Sequence, residues 1–184
     1  MYLGNGLPPT SGIPLYNGYM EIYTIGYGGR AIGDFIGLLK RYGIQALVDA
    51  RSMPYSRFRP DYRKKLFQQH LEGAGIEYRY MGEALGGKLL DPQYVIDGKV
   101  DVERLQERED VRASLDQIEA AVRAGELLAM MCAEQRPEQC HRAWMLAPMM
   151  LGRGIEVLHI DERGELKTQE QLNVPEWPAP PKKK

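Results

Sequence analysis

The chain has little of what would commit it to the outside of a cell or to a membrane. It carries two cysteines, three histidines and two tryptophans in 184 residues. Two cysteines exclude the dense disulfide framework of small secreted proteins. With Cys132, Cys140 and His141 close together, only His70 and His159 remain as further imidazoles, and they supply no second ligand pair of zinc spacing. No metal and no cofactor is therefore expected. No run approaches the roughly 20 apolar residues that a membrane span needs. The formal net charge of −1 excludes an overall basic field that would recruit nucleic acid or membrane.

What is present is ordinary globular material, 43% apolar and 27% charged. One domain is expected over residues 21–165, in a reducing, cytoplasmic setting. Residues 1–20 are rich in Gly and Pro and read as a flexible arm; they lack the charged and apolar regions of a secretory signal. Residues 166–184 end in PAPPKKK and read as a tail.

Strand and helix signals alternate between these ends. Glu21 to Gly26 is a β-branched and aromatic run that enters the Gly26-Tyr27-Gly28-Gly29-Arg30 turn. Ile32, Phe35, Ile36, Leu39 and Tyr42 then recur at helical spacing, Gly43 stops the helix, and Ile44 to Asp49 is a second strand. That is a βαβ unit, which implies a parallel sheet. A helix is expected over Asp61 to Gly73, a strand over Ile76 to Tyr80, an irregular insertion over 82–100, and one or two charged helices over 101–124. Leu127 to Met131 and Glu156 to Ile160 complete the strands, and Pro148 should kink or shorten the helix between them. The expected fold class is α/β: a single three-layer domain with a mostly parallel sheet and helices on both faces.

In open parallel sheets, ligands bind beyond the carboxyl ends of the strands. Three loops meet there: Gly26 to Arg30, Asp49 to Arg59 and Cys132 to Arg142. The last holds Cys132, Glu134, Cys140 and His141. Nearby cations lower a thiol's pKa, so Cys132 reads as a nucleophile or a redox thiol. Cys140 then resolves or assists it, with His141 as base or donor and Glu134 moving a proton. The structural alternative is that Cys132 is a small core hydrophobe. Arg30, Arg51, Arg57, Arg136 and Arg142 fall in or beside the same loops, and planar guanidiniums suit phosphate, sulfate or carboxylate. Lys88 ends a Gly82-to-Lys88 stretch with P-loop spacing, but Leu89 replaces the required hydroxyl, so Lys88 is read as a lid cation.

Residues 51–65 mix basic side chains with Tyr55, Phe58 and Tyr62. Such mixing is able to track a single strand of nucleic acid; it also describes a solvated helix start with core aromatics. Of the remaining histidines, His159 reads as a satisfied core residue and His70 as surface.

Four stretches, YTIGYGGR (Tyr23 to Arg30), LVDARSMPYSRFRPDY (Leu47 to Tyr62), YRYMGEALGGK (Tyr78 to Lys88) and MCAEQRPEQCHR (Met131 to Arg142), together resemble the domain of unknown function 488 family of bacterial and archaeal proteins. The resemblance implies an α/β fold and implies no activity. Leu47 to Arg51 and Leu127 to Cys132 also resemble the strands of rhodanese-type domains, which implies a persulfide on Cys132. The leading expectation is an enzyme binding an anionic small molecule or nucleotide. The alternatives are a nucleic-acid-associated protein and a non-catalytic anion-binding domain. No membrane partner is expected, and the oligomeric state is open.

Overall fold

A computed structural model describes residues 20–87, 91–97, 99–172 and 174. The arm at residues 1–19, Lys88 and the end of the tail lie outside them. A six-stranded sheet forms the middle layer, in the order β3-β2-β6-β1-β7-β8. Its strands are β1 (Met20–Gly26), β2 (Ala46–Asp49), β3 (Glu77–Tyr80), β6 (Leu128–Cys132), β7 (Ile155–Ile160) and β8 (Leu166–Thr168). The first five are mutually parallel, while β8 pairs antiparallel with β7. Two-residue strands β4 (Val95–Ile96) and β5 (Lys99–Val100) pair separately within the insertion.

Burial on both faces explains the central strands. All five residues of β6 are buried, as expected of a parallel strand covered on both sides. Ala129, Met130 and Met131 are not strong strand formers, so here burial overrides intrinsic propensity. Successive side chains then divide between two cores. Ile22, Val48, Met130 and Val157 face one side, while Tyr23, Ile25, Leu47, Ala129 and Leu158 face the other.

Helices α1 (Ile32–Arg41) and α2 (Lys64–Gly73) cover the second side. Phe35 and Leu39 of α1 and Phe67 and Leu71 of α2 are fully buried, each worth about 1.5–3 kcal/mol. Gly43 ends the α1 region in the left-handed conformation, φ +67°, as a helix stop requires. The first side is covered by α4 (Val102–Gln106), α5 (Glu109–Arg123) and α6 (Ala147–Leu151). On α5, Val111, Leu115, Ile118 and Val122 make the buried stripe at the spacing an amphipathic helix demands.

The three-layer α/β arrangement is as the sequence implies, with three differences in detail. The residues expected to open α2 form a 3-10 turn, Pro60–Tyr62, and the α-helix begins at Lys64. The insertion is not wholly irregular: it opens with a helical turn, α3 (Gly82–Leu85). Regular structure also continues past residue 165. β8 extends the sheet edge, so Leu166 to Thr168 belong to the fold and not to a tail. Pro148 is accommodated within the first turn of α6, directly after a π-type turn over Arg142–Leu146. Its missing N–H costs least in that first turn, and π turns frequently mark functional sites.

Candidate functional site

The strand order places β2, β6 and β1 side by side, so their carboxyl ends open on one edge. Tyr27 N–H donates to the Cys132 carbonyl at 3.3 Å, and Ala50 N–H to the Met131 carbonyl at 3.0 Å. The three loops named from the sequence are therefore neighbours. They are packed so closely that Gly26 has no room for a side chain. A Cβ there would lie 1.7 Å from the Glu134 carbonyl oxygen and 2.6 Å from Arg142 Nη1. Replacing Gly26 with Ala is expected to displace the Ala133–Arg136 loop and to cost about 3 kcal/mol, the upper end for overpacking. A thermal melt checks this: loss of several degrees is expected, and an unchanged melting temperature would refute the packing described.

The sulfurs of Cys132 and Cys140 are joined, closing the loop between them, with Cα atoms 7.3 Å apart. Among the described residues there is no free cysteine. Both cysteines are 1% exposed. Cys132 thus differs from a lone thiol at a strand end. The Cys132 sulfur lies 3.7 Å from the Glu134 carbonyl, and the Cys140 sulfur 3.6 Å from His141 Nδ1. Glu134 points its carboxylate outward, yet one of its oxygens and both sulfurs fall within 4.8 Å of one another. Together these three side chains offer the one such set of metal-ligand atoms among the described residues.

His141 is buried under the insertion. A Cβ at Gly87 would sit 2.8 Å from His141 Cβ and Cγ. Burial pushes the His141 imidazole down to about 4, only partly opposed by the Ala50 and Leu85 carbonyls. It is neutral at pH 7 and a weak base. The lowering weakens the ring as a base, and its Nδ1 lies within reach of the Cys140 sulfur.

The cations separate into three groups. Arg142 is fully buried. Its Nη2 donates to the Gln135 carbonyl at 2.7 Å, while Nε and Nη1 find no partner. Burial lowers the guanidinium to about 9, against the nearby charge of Glu134, with Arg30 adding to the lowering; it remains charged at neutral pH. Arg30 is buried beside it. Its Nε donates to the Gly26 carbonyl at 3.0 Å and its Nη2 to the Asp161 carbonyl.

Arg51 is used differently from the anion-holding role expected of it. It binds both oxygens of fully buried Asp49, at 2.8 and 2.6 Å, and donates its Nη1 to the Tyr62 carbonyl. Its three donor directions serve the fold. Arg57 and Arg136 lie on the surface: Arg57 covers the Phe58 ring and Arg136 is 4.0 Å from Glu162. Lys88 falls outside the described residues.

The sequence gives no role to Gln135 or Asp161, and places Tyr62 only among the aromatics of residues 51–65. Tyr62 is buried against Tyr27, ring centroids 4.2 Å apart, and its hydroxyl donates to the Arg30 carbonyl at 3.1 Å. The aromatic run 51–65 carried a trace of this, but not which ring would turn inward.

Fold and site together define a three-layer α/β protein whose central parallel strand ends in a cysteine bonded across a seven-residue loop, beside a buried arginine. The chain belongs to the family described as domain of unknown function DUF488, whose model matches residues 31–147. No curated protein and no solved structure matches it, so the likeness to rhodanese-type domains finds no counterpart there. Among the described residues, no helix is long and apolar enough to cross a membrane.

Proposed function

We propose that this is a thiol-dependent enzyme in which Cys132 and Cys140 form a reversible pair acting on a small anionic substrate. The observation that carries the reading is the joined sulfurs beside Arg142, a buried guanidinium that makes no ion pair among the described residues. A buried cation without a counter-charge is costly. A Cys132 thiolate, or an anion bound against it, would supply that charge, and Arg30 would add to the field.

The pair also narrows the chemistry. A second thiol resolves an adduct only if the bond formed on Cys132 joins sulfur to sulfur or to oxygen; an acyl or phosphoryl adduct would not yield a disulfide. The substrate class is therefore an anion with a weak S–S, S–O or O–O bond. Cys132 thiolate takes the electrophilic atom and expels one fragment. Cys140 then attacks the Cys132 sulfur and expels the other. The substrate gains two electrons, the two thiols supply the two protons, and an external thiol reductant restores the pair. Both sulfurs are nearly inaccessible, so the Ala133–Gln139 loop opens when the bond between them breaks.

The test is labelling of the protein after reduction. Iodoacetamide should modify Cys132 readily at pH 6.5, and Arg142→Met should slow this about tenfold or more, as loss of a neighbouring cation implies. At pH 9.5 the two proteins should react alike, which separates charge from access. Labelling at pH 6.5 that ignores Arg142→Met, or two free thiols in the unreduced protein, would remove the proposal.

A further inference from the structure

The exposed side chains of the basic-aromatic stretch take no part in that site, and the stretch divides in a telling way. Tyr62 turns into the core at 1% exposure, whereas Phe58 is 88% exposed, Met53 67% and Tyr55 59%. Burying such side chains is worth a few kcal/mol each, so a cluster left in water points to something that covers it.

Each exposed ring is accompanied by a cation. Arg57 lies over Phe58 at 5.7 Å and Arg63 over Tyr55 at 5.0 Å. Beside them Lys64 covers the Tyr80 ring at 3.9 Å. Residues 52–65 hold five Lys and Arg against one acid, Asp61, in a chain of net charge −1. That single acid is engaged with His70 at 3.1 Å. The loop is fastened from below, with Arg59 donating to the Arg30 carbonyl at 2.7 Å and Lys64 N–H to the Pro54 carbonyl at 2.9 Å. Rings and cations are thus offered on a fixed platform.

We infer that this platform, centred on Tyr55, Arg57, Phe58 and Arg63, binds single-stranded nucleic acid, its rings stacking on bases and its cations tracking the phosphates. The pattern favours this occupant over a lipid surface. Separate rings, each with a cation over one face, leave the other face for a flat base, whereas insertion into lipid calls for a continuous apolar face. Stacking on bases accepts any sequence, so no particular motif is required.

Fluorescence anisotropy of the full chain with labelled 20-mers of thymidylate and uridylate tests it. Binding is expected at low salt and should weaken as salt rises, as phosphate contacts require. Phe58→Ala should lower affinity about tenfold, in the range seen for loss of one stacked base. Arg57→Ala with Arg63→Ala should weaken binding and flatten the salt dependence. These side chains are exposed, so the variants should melt with the parent protein and label at Cys132 at its rate. The inference is overturned by absence of binding at low salt or by unaltered affinity in Phe58→Ala. Equal affinity for duplex, or binding to phosphatidylserine vesicles in place of oligonucleotides, also overturns it.

Discussion

Stability should fall steeply between pH 6.5 and about 4.5, beginning well above the range in which ordinary carboxylates titrate. Two buried imidazoles cause it. Burial lowers both His141 and His159 to about 4, whereas in the unfolded chain each titrates near 6.5. Between those values the unfolded chain binds more protons than the native one, so lowering the pH favours unfolding. The stability from keeping each ring neutral is complete above pH 6.5 and is lost as the pH falls toward 4. Each contributes a slope of at most about 1.4 kcal/mol per pH unit, so the pair removes roughly 5 kcal/mol by pH 4.5. That rivals the whole margin of a typical domain.

The geometry of His159 shows how its neutral form is held. Gln169 donates its amide N–H to the Ala143 carbonyl at 2.8 Å, which turns its Oε1 toward His159 Nε2, also at 2.8 Å. Nε2 therefore carries the proton, and Nδ1 accepts from Thr24 Oγ1 at 2.7 Å. A second proton on the ring would turn the Thr24 hydroxyl into the acceptor, and it is burial away from water that opposes the charge. Urea unfolding at pH 7.5, 6 and 5 should show a linkage near two protons, and His159→Gln should reduce it to one. Equal stability at pH 7.5 and 5 would refute this account.

The fold was legible because its strands and helices carry strong local patterns. The β1–α1–β2 unit shows period-2 and period-3.6 spacing with a glycine stop, and five of the six sheet strands lie within about two residues of where those patterns put them, the usual uncertainty of such boundaries. β8 escapes a reading of local pattern because Leu166–Thr168 is only three residues long with a lysine at its centre, and pairing with β7 makes it a strand. Around Cys132, the convergence of the loops was legible more than the use each side chain is put to. Loops after adjacent parallel strands must converge, and that much follows from topology. Which guanidinium is consumed internally does not. Arg51 is claimed by Asp49 two residues earlier, while Arg142 keeps one hydrogen bond, to the Gln135 carbonyl of the loop that packs against it. Nor does composition distinguish Tyr62, which turns inward, from Phe58, which stays out.

Asp49→Ala is expected to be among the most damaging single substitutions in the chain. Asp49 is fully buried, and beyond the two bonds from Arg51 it accepts the Arg51 backbone N–H at 3.1 Å and the Tyr78 hydroxyl at 2.7 Å. Removing the carboxylate strands a guanidinium that is itself almost wholly buried. That charge would keep only the Tyr62 carbonyl and the faces of the Tyr27 and Phe67 rings. Breaking one partner of a buried pair costs about 3–5 kcal/mol, or roughly 10 °C in melting temperature for a chain of this size. Replacing both partners should cost far less, because no charge then remains to be solvated. Arg51→Met in the Asp49→Ala background is accordingly expected to restore much of the lost stability. A double variant whose loss equals the two single losses added together would show that the residues do not act as a pair. The damage should also reach Cys132. Arg51 bridges the end of β2 to Tyr62, Tyr62 stacks on Tyr27, and Tyr27 donates to the Cys132 carbonyl, so loosening the pair loosens the wall on which Cys132 stands.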